Sequence, residues 1–443
     1  MAITEIMERL RMSANAPVEK GPLPAGRSIT SRLRLPSRKV IFTGLDIGTT
    51  KICAIIGEID PSGKVTILGL ASQPSQGLRR GIVINLDETV ESIRVAIRKA
   101  ENMAQVQVRD VFVGIAGGHI ECQTVSATID VANPERGITK SDVRRAVESA
   151  VEGKVPMERE VLHQIPQQFF IDDGAILDPV GFSSRKLSVE VMLVTAAVTS
   201  AQNIIRAVSQ ARFRVAGIYL EPLASSLAIL TEEQKELGVV MIDIGGGTSD
   251  IAVYVNGSVR YTGVVPHGGD AITEDISKIL KINRFDAENL KKRHGHCIPE
   301  EIDERETISV PGVLGEKPSQ IKRQLVAQII EARMSEMLEM VKRRIEKLPF
   351  YDQVYGGIVF TGGTSLQAGI CDLGQRIFDR PCCHGVPTGL SGTSSLASSS
   401  PIYSTGVGLV LYGLEHEREQ AFLDGNAFNK IITRLKSFID WYG

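Results

Sequence analysis

The sequence predicts an α/β chain of two related halves around a cleft, with an α+β segment inserted in the first half. One supersecondary unit occurs twice, beginning with the apolar strands 40–46 and 239–244. A glycine-rich hairpin turn follows each of these strands, and helical and strand-like periods alternate along the rest of the chain. A length of 443 residues favours two or three compact units over one simple core.

The composition is that of an ordinary soluble globular protein, with 43% hydrophobic and 23% charged residues. Lysine plus arginine (50) nearly cancels aspartate plus glutamate (52), so the net charge of −2 gives no global attraction to nucleic acid. The six cysteines form no CxxC pair, which favours reduced thiols in a cytoplasmic protein. No apolar run approaches the ~20 residues needed to cross a bilayer.

Residues 1–39 predict a flexible basic tail. They carry eight basic and three acidic residues, a local net charge of +5, and four prolines interrupt any long helical period. A solvated tail is the favoured interpretation, and weak attraction to an anionic membrane or a partner is the alternative.

The first half opens with a strand–turn–strand unit, 40–59, followed by a third strand at 65–70. P-loop and Rossmann proteins instead open with strand–turn–helix, so another class of nucleotide-binding fold is favoured. Residues 83–185 predict the inserted α+β subdomain. Its expected elements are a helix at 86–103, strands at 111–115, 123–131 and 161–171, and a helix capped at Ser141-Asp142 that ends near residue 151.

The chain then returns to the first half and repeats the opening unit near residue 239, with a favoured hairpin turn at Asn256-Gly257. Long helices are predicted at 270–280 and 319–348, a flexible loop at 388–400, and a closing helix at 401–416. The predicted division is therefore a first half of 40–82, 186–237 and 401–416, a second half of 238–400, and a linker at 417–425.

Two short loops carry the predicted phosphate-binding chemistry. Glycine lets backbone N–H groups approach phosphate oxygens, hydroxyls add donors, and a lysine adds positive charge. Asp46 and Asp243, at the ends of two apolar strands, are suited to hold Mg²⁺ through its waters. Either loop alone could be an ordinary hairpin, but two of them 197 positions apart at equivalent points of a repeat predict a nucleoside triphosphate, most simply ATP, between them. The predicted phosphate-binding residues are Gly48, Thr49, Thr50 and Lys51 in the first loop, and Gly245, Gly246, Gly247 and Thr248 in the second.

A third glycine-rich element, 356–365, predicts an apolar strand that enters a turn at Gly362 and Gly363. A glycine-softened strand end is the alternative. Because the two loops are also present, we predict a backbone platform for adenosine and the α-phosphate.

In this order the three elements resemble the phosphate-1, phosphate-2 and adenosine motifs of the actin, sugar-kinase and chaperone ATPase superfamily. Residues 221–226 resemble the first connecting motif of DnaK-type chaperones, which implies that Glu221 lies near the attacking water. Within the superfamily the chain most resembles the FtsA family of bacterial cell-division actin homologues. The matching stretches are 44–51, 113–117, 137–139, 163–166, 243–250, 267–270 and 361–363.

This resemblance implies an actin-like ATPase fold with ATP and Mg²⁺ as cofactors, in which 83–185 is the family's inserted subdomain. It also implies that residues 287–292 form the helix that touches adenine and ribose through Lys291 and Lys292, with two solvated lysines as the alternative. Glu221 offers a water-positioning carboxylate, but no arginine-finger candidate is identified in the sequence, so the chain is expected to be at most a slow ATPase.

The implied partners are FtsZ, further copies of the chain in an actin-like filament, an anionic lipid membrane, and later division proteins through 83–185, with no nucleic acid. The implied location is the cytoplasmic face of the bacterial cell membrane at the division site.

Residues 426–443 predict an amphipathic helix that lies in the headgroup plane of a membrane, being too short and too polar to span it. A helix docked on the protein's own core is the alternative, and the break at Asp424-Gly425 favours the membrane. One such helix gives reversible anchoring, which polymerisation would strengthen. Its apolar face carries Phe428, Ile431, Ile432, Leu435, Phe438, Ile439 and Tyr442, with Trp441 at the edge.

Three functions are open from the sequence: a membrane-tethering division adaptor, an assembly protein resembling PilM of type IV pilus systems, and a metabolic kinase of the superfamily. A kinase needs a substrate carboxylate base and a sugar-contacting surface, neither of which is identified. PilM-like chains usually lack a terminal membrane helix, so the helix favours the adaptor.

Overall fold

The computed structural model describes residues 39–310, 318–392 and 400–422. Residues 1–38 of the predicted basic tail, residues 423–425 of the predicted linker, and the predicted membrane helix at 426–443 lie outside the described residues.

The described strands and helices alternate as an α/β chain. The strands are β1 (Val40–Ile47), β2 (Lys51–Ile59), β3 (Val65–Pro74), β4 (Leu78–Arg79), β5 (Ile82–Val83), β6 (Asp110–Ile115), β7 (Ile120–Asp130), β8 (Arg159–Ile171), β9 (Gly174–Ile176), β10 (Lys186–Ala197), β11 (Arg214–Leu220), β12 (Val239–Ile244), β13 (Ser249–Val255), β14 (Ser258–Val265), β15 (Thr307–Val310), β16 (Ser319–Lys322), β17 (Ile358–Thr361), β18 (Cys382–His384) and β19 (Leu390–Gly392). The helices are α1 (Leu86–Ala104), α2 (Lys140–Val151), α3 (Val198–Gln210), α4 (Glu221–Ile229), α5 (Glu232–Leu237), α6 (Gly269–Leu280), α7 (Arg284–His294), α8 (Arg323–Ile345), α9 (Ile370–Phe378) and α10 (Ser404–Phe422).

Two sheets repeat one topology. The first has the strand order β11-β6-β1-β2-β3-β19, and the second has the order β14-β13-β12-β17-β18. In each sheet three consecutive antiparallel strands form the repeated unit, and a later strand pairs in parallel beside the first of them. The strands are apolar because both faces are covered, as in β12 and β13, which are buried throughout. The repeat near residues 40 and 239 is therefore confirmed.

Two apolar clusters stabilise the two halves separately, and a third joins them. One packs α1 and α3 on the outer face of the first sheet, and another packs α6, α8 and α9 on the outer face of the second. The third joins the inner faces of both sheets to α4 and α10. These two helices approach backbone to backbone, since a Cβ atom on Gly408 would lie 1.8 Å from the carbonyl oxygen of Ala224. This packing fixes the start of α4, where Glu221 lies.

The inserted subdomain is a four-stranded sheet of order β7-β10-β8-β9 with α2 on one face. Its helix begins at Lys140, and Thr139 and Asp142 exchange side-chain hydrogen bonds in a capping box. The cap predicted at Ser141-Asp142 is thus replaced by Thr139, because only Thr139 has a carboxylate three residues later that can return its hydrogen bond.

The predicted boundaries of the insertion, 83–185, are shifted in the structure. Helix α1 packs on β2 and β3, and β6 lies between β1 and β11, so these elements belong to the first half. Conversely, β10 pairs with both β7 and β8 and belongs to the inserted sheet, which runs from Ile120 to Ala197. Hydrophobic period alone identifies a strand without revealing which sheet it joins.

Three other predicted boundaries also change. Residues 319–322 pair with β15 as strand β16, so the long helix begins at Arg323. Part of the predicted loop 388–400 forms β19, which pairs with β3 of the first half. Helix α10 continues to Phe422 through six residues of the predicted linker, because glutamate, arginine, glutamine and alanine favour helix and no glycine or proline intervenes.

Candidate nucleotide site

The two predicted phosphate loops lie face to face. The first connects β1 to β2 and the second connects β12 to β13. A Cβ atom on Gly246 would lie 1.7 Å from Thr50 Oγ1, and one on Gly247 would lie 2.7 Å from Thr49 Oγ1. Side chains are therefore excluded from the second loop where the hydroxyls of the first loop approach its backbone.

Each loop is closed by the same backbone hydrogen bond. The Gly48 N–H donates to Lys51 O at 3.0 Å, and the Gly245 N–H donates to Thr248 O at 3.0 Å. This equivalence, at the same point of the two repeated units, is what the spacing of the motifs predicts.

The second loop is held from behind by the start of α6. The Gly269 N–H donates to Gly245 O at 3.0 Å, and the Asp270 N–H donates to Gly246 O at 2.8 Å. Thr364, next to the predicted adenosine turn, also donates to Gly245 O, at 2.8 Å. In a trans peptide the N–H points opposite to the carbonyl, so the N–H groups of Gly246 and Gly247 point away from α6. Convergent N–H groups of this kind suit a phosphate oxygen.

Lys51 and Asp46 form an ion pair inside the first loop. Lys51 Nζ lies 2.8 Å from Asp46 Oδ2. Burial lowers the pKa of Lys51, but the charge of the paired Asp46 carboxylate more than offsets this effect, so the net pKa lies above its ordinary value. The lysine is therefore charged, and it balances one carboxylate while remaining within the predicted phosphate loop.

Asp243 ties three elements together. Its Oδ2 accepts hydrogen bonds from Ser225 Oγ at 2.7 Å and from Thr405 Oγ1 at 3.3 Å, which join β12 to α4 and α10. Its Oδ1 faces the adenosine turn, where a Cβ atom on Gly362 would lie 2.2 Å away. Gly362 also has φ +85, a backbone conformation that favours glycine. The neighbouring Gly363 begins a 3-10 turn and has free space around it.

Glu221 is the first residue of α4 and lies against Gly114, where a Cβ atom would be 2.8 Å from Glu221 Cγ. Desolvation, together with the charges of Asp46, Asp250 and Asp243, raises the pKa of Glu221 well above its ordinary value, while Lys51 opposes the shift. The start of α4 thus brings this carboxyl within electrostatic reach of the aspartates and the lysine of the two loops.

Asp250, the second residue of β13, is a further acidic group beside the second loop and was not among the predicted site residues. Its side chain is 5% exposed, and Oδ2 accepts from Thr248 Oγ1 at 2.9 Å. No hydrogen-bond partner of Oδ1 lies in the part of the chain that the structure describes. The sequence could have indicated a role for Asp250, because it is a carboxylate in a strand of otherwise mostly apolar residues. The contacts of Ser225 and Thr405 with Asp243 had no such signal, because they depend on packing between distant segments.

The acidic cluster fits a hydrated divalent cation. Asp46, Asp243, Asp250 and Glu221 share the site with Lys51, and Asp250 Oδ1 is an unused acceptor. Within 39–310, 318–392 and 400–422, no three His, Cys, Asp or Glu side chains converge closely enough to bind a metal directly. Mg²⁺, which keeps much of its hydration shell, would bind such carboxylates through its waters and would add charge stabilisation for the phosphates.

Lys291 and Lys292 occupy different environments. Lys291 is buried, and its Nζ contacts Gly269 O at 3.0 Å, Thr273 Oγ1 at 2.8 Å and Glu288 at 2.6 Å. Because Thr364 also reaches the same glycine, Lys291 lies beside the predicted adenosine element. Lys292 pairs with Glu288 at 3.0 Å, and 65% of its side chain is exposed.

The acidic cluster predicts a pH-dependent stability. Burial, followed by the charge of Asp243, raises the pKa of Asp250 to about 8 from an ordinary 3.8. Between these values the folded chain holds a proton that the unfolded chain has lost, so its free energy of unfolding falls as pH rises, by about 1.4 kcal/mol per pH unit for one group. Urea unfolding of the nucleotide-free chain at pH 6, 7 and 8 should show Asp250→Asn reducing this slope. Asp142→Asn is the control, because the pKa of Asp142 lies below its ordinary value and leaves the slope unchanged. An unaltered slope in Asp250→Asn would contradict the assignment.

Comparison with known proteins identifies related sequences over most of the chain. A family model described as cell division protein FtsA matches residues 240–408, and one described as the SHS2 domain inserted in FtsA matches 117–195. The second range agrees with the observed inserted sheet. The cell division protein FtsA of Pseudomonas aeruginosa is 36% identical over 408 residues, covering 90% of this chain and 97% of that protein. That of Neisseria meningitidis serogroup B is 39% identical over 404 residues, covering 89% and 97%.

Solved structures share the fold at low identity. A chain of the PilM–PilN type IV pilus biogenesis complex has a TM-score of 0.62 and 16% identity, covering 84% of this chain and 98% of that one. MreB5 of Spiroplasma citri bound to ADP has a TM-score of 0.51 and 15% identity, covering 88% and 99%. The predicted actin-like fold with an inserted subdomain is confirmed.

Proposed function

Because the chain belongs to the FtsA family of cell division proteins, we propose that it binds ATP with Mg²⁺, polymerises, and anchors the FtsZ ring to the cytoplasmic face of the cell membrane at the division site. The observation that carries the nucleotide part is the pair of equivalent loops that meet across the cleft. A structural neighbour with the same fold, MreB5, holds ADP, which supports the same use of the cleft here.

ATP in this proposal serves assembly more than turnover. Desolvation and the charges of the neighbouring aspartates raise the pKa of Glu221 well above its ordinary value, so they disfavour the ionised carboxylate that would accept a proton from water. A bound cation would lower this pKa by offsetting the neighbouring aspartates, so any hydrolysis follows metal and nucleotide binding. With slow hydrolysis, subunits newly added to a filament would hold ATP and older subunits would hold ADP.

The membrane part of the proposal rests on the sequence pattern of 426–443. Among the described residues, no helix is both long and apolar enough to span a bilayer. The described part of helix α10 reaches Phe422, and the predicted amphipathic helix begins four positions later in the sequence. The proposed partners are FtsZ, further copies of the chain, and later division proteins at the inserted subdomain. The likeness to PilM is one of fold and adds no second candidate function.

Vesicle flotation tests the anchor. The full chain should float with vesicles that contain anionic lipid, and a chain ending at Gly425 should stay in the dense fraction. Ile432→Glu, which puts a charge on the apolar face, should reduce the floated fraction at least tenfold, about 1.4 kcal/mol or more. Thr433→Glu adds the same charge to the polar face and should have a smaller effect. Equal flotation of the full and shortened chains would rule out the anchor while leaving the nucleotide proposal untouched.

A further inference from the structure

A side chain of the inserted subdomain, His163 of β8, contacts the end of the strand that leads to Glu221. The backbone N–H of Leu220 donates a hydrogen bond to His163 Nε2 at 3.1 Å. Leu220 is the last residue of β11 and the residue immediately before Glu221. The contact therefore links the inserted sheet to the peptide from which the candidate water-positioning carboxyl extends.

Burial keeps the His163 ring neutral, and the hydrogen bond from Leu220 determines which of its two nitrogens carries the proton. Desolvation lowers the pKa of His163 to about 4, so the imidazole is neutral near pH 7. Because Nε2 accepts the Leu220 N–H, the proton of the neutral ring lies on Nδ1. The ring is a permanent acceptor for Leu220 at physiological pH.

The Leu220 N–H needs such an acceptor. In the part of the chain that the structure describes, strand β11 lies at the edge of the first sheet and pairs only with β6. An outward N–H on an edge strand has no ladder partner, and a polar group left unpaired away from water is costly. Among the described residues, no side chain caps helix α4, so its first turn depends on the preceding peptide for its orientation.

Two aromatic contacts of Tyr219 also hold the peptide between Tyr219 and Leu220. The rings of His163 and Tyr219 meet edge to face, with centroids 4.7 Å apart and an interplanar angle of 80°. Tyr219 in turn stacks on Tyr412 of α10, with centroids 3.8 Å apart. The peptide that joins Tyr219 to Leu220 is thus held by both β8 and α10.

Glu221 has little freedom of its own once this peptide is fixed. Its Cγ lies 2.8 Å from the position a Cβ atom on Gly114 would take, so its stem runs along the glycine backbone of β6. A movement of β8 that broke the His163 contact would release the start of α4 and shift the carboxyl relative to the aspartates of the cleft.

We propose that His163 is a positioning residue, through which the inserted subdomain sets the orientation of Glu221 in the nucleotide cleft. The proposal rests on the proposed function, since Glu221 must have an ATP to act on. It gives the inserted subdomain a direct route to the rate of hydrolysis: a partner that displaces β8 alters Glu221 without touching the nucleotide.

The test uses the full chain with Mg²⁺-ATP and measures the dissociation constant of ATP and the single-turnover rate of hydrolysis separately. His163→Phe keeps a ring against Tyr219 but removes the acceptor, and His163→Gln keeps an acceptor where Nε2 lies. The Phe variant should lower the hydrolysis rate about tenfold and change ATP affinity less than about twofold, and the Gln variant should recover the rate to within about threefold. Gln164→Ala, at the exposed neighbouring position of β8, is the control and should behave as the wild type.

A double-mutant cycle separates positioning from general damage. In a Glu221→Gln background, His163→Phe should cause no further loss of rate, because the group it positions is already gone. Multiplied losses in the double variant, or a parallel loss of ATP affinity and rate in the single one, would overturn the proposal. A wild-type chain that binds ATP and never hydrolyses it would also overturn it, because Glu221 would have no reaction to serve. Failure of the wild type to bind ATP would instead contradict the proposed function.

Discussion

Replacing Gly408 with alanine should lower the free energy of unfolding by about 3 kcal/mol or more, which is at the upper end of the usual cost of overpacking a core. The new Cβ atom would lie 1.8 Å from Ala224 O and 2.3 Å from the carbonyl carbon of the same residue. Backbone atoms of a packed helix cannot rotate aside as a side chain can, so α10 and α4 have to separate. Since α4 begins at Glu221 and both helices hold Asp243 through Ser225 and Thr405, ATP binding should weaken as well.

Gly406→Ala is the matched control on the same helix. Its Cβ atom would lie 2.8 Å from Cδ1 of Ile55, the far end of a flexible side chain. Both substitutions gain about 1 kcal/mol of intrinsic helix propensity, so the difference between them isolates the clash. Urea unfolding of the two variants and the wild type measures it. Equal midpoints for the two variants would show that the close approach of α4 and α10 is not rigid.

Replacing Gly362 with alanine should cost about 3 kcal/mol and abolish measurable ATP binding, because backbone strain and a clash coincide there. The residue has φ +85, and its Cβ atom would lie 2.2 Å from Asp243 Oδ1 and 2.6 Å from Ile244 O. Asp243 cannot turn away without giving up its hydroxyl donors. The second loop and the adenosine turn must therefore move apart.

Gly389→Ala separates strain from clash. Gly389 has φ +72, but within the described residues no atom beyond its chain neighbours lies within 4 Å of its Cβ position. Alanine there carries the conformational cost alone, about 1–2 kcal/mol, and should leave ATP affinity unchanged. Urea unfolding and ATP titration calorimetry on both variants test the pair. An ATP affinity retained in Gly362→Ala would contradict the place given to this turn in the site.

The sequence predicted those parts of the fold that local pattern determines. The two strand–turn–strand units, the loop between β12 and β13 and the turn at Asn256-Gly257 each follow from apolar runs bounded by glycine, and the structure has them all. Boundaries failed where a partner decides the outcome. Residues 319–322 carry no β signal of their own and become a strand because β15 pairs with them. Strand β10 looks the same whether it joins the first sheet or the inserted one.

The candidate site divides in the same way. Glycines and strand-end aspartates carry their signal in the sequence, so the facing loops could be expected from it. The placement of Ser225, Thr405 and His163 could not be, since each acts on a residue from another part of the fold. The sequence shows that residue 250 is an aspartate. Its raised pKa could not be predicted, because it arises from burial beside Asp243 in the packed structure.

Strand β19 limits how the two halves move. The Gly385 N–H is bonded to Phe360 O of the second sheet, and Leu390 already pairs with Val65 of the first. Five residue steps of fully extended chain cover at most roughly 18 Å, so this short tether bounds the distance between the sheets at that edge. If the cleft binds a nucleotide as proposed, we expect exchange to widen it more at the edge opposite this tether.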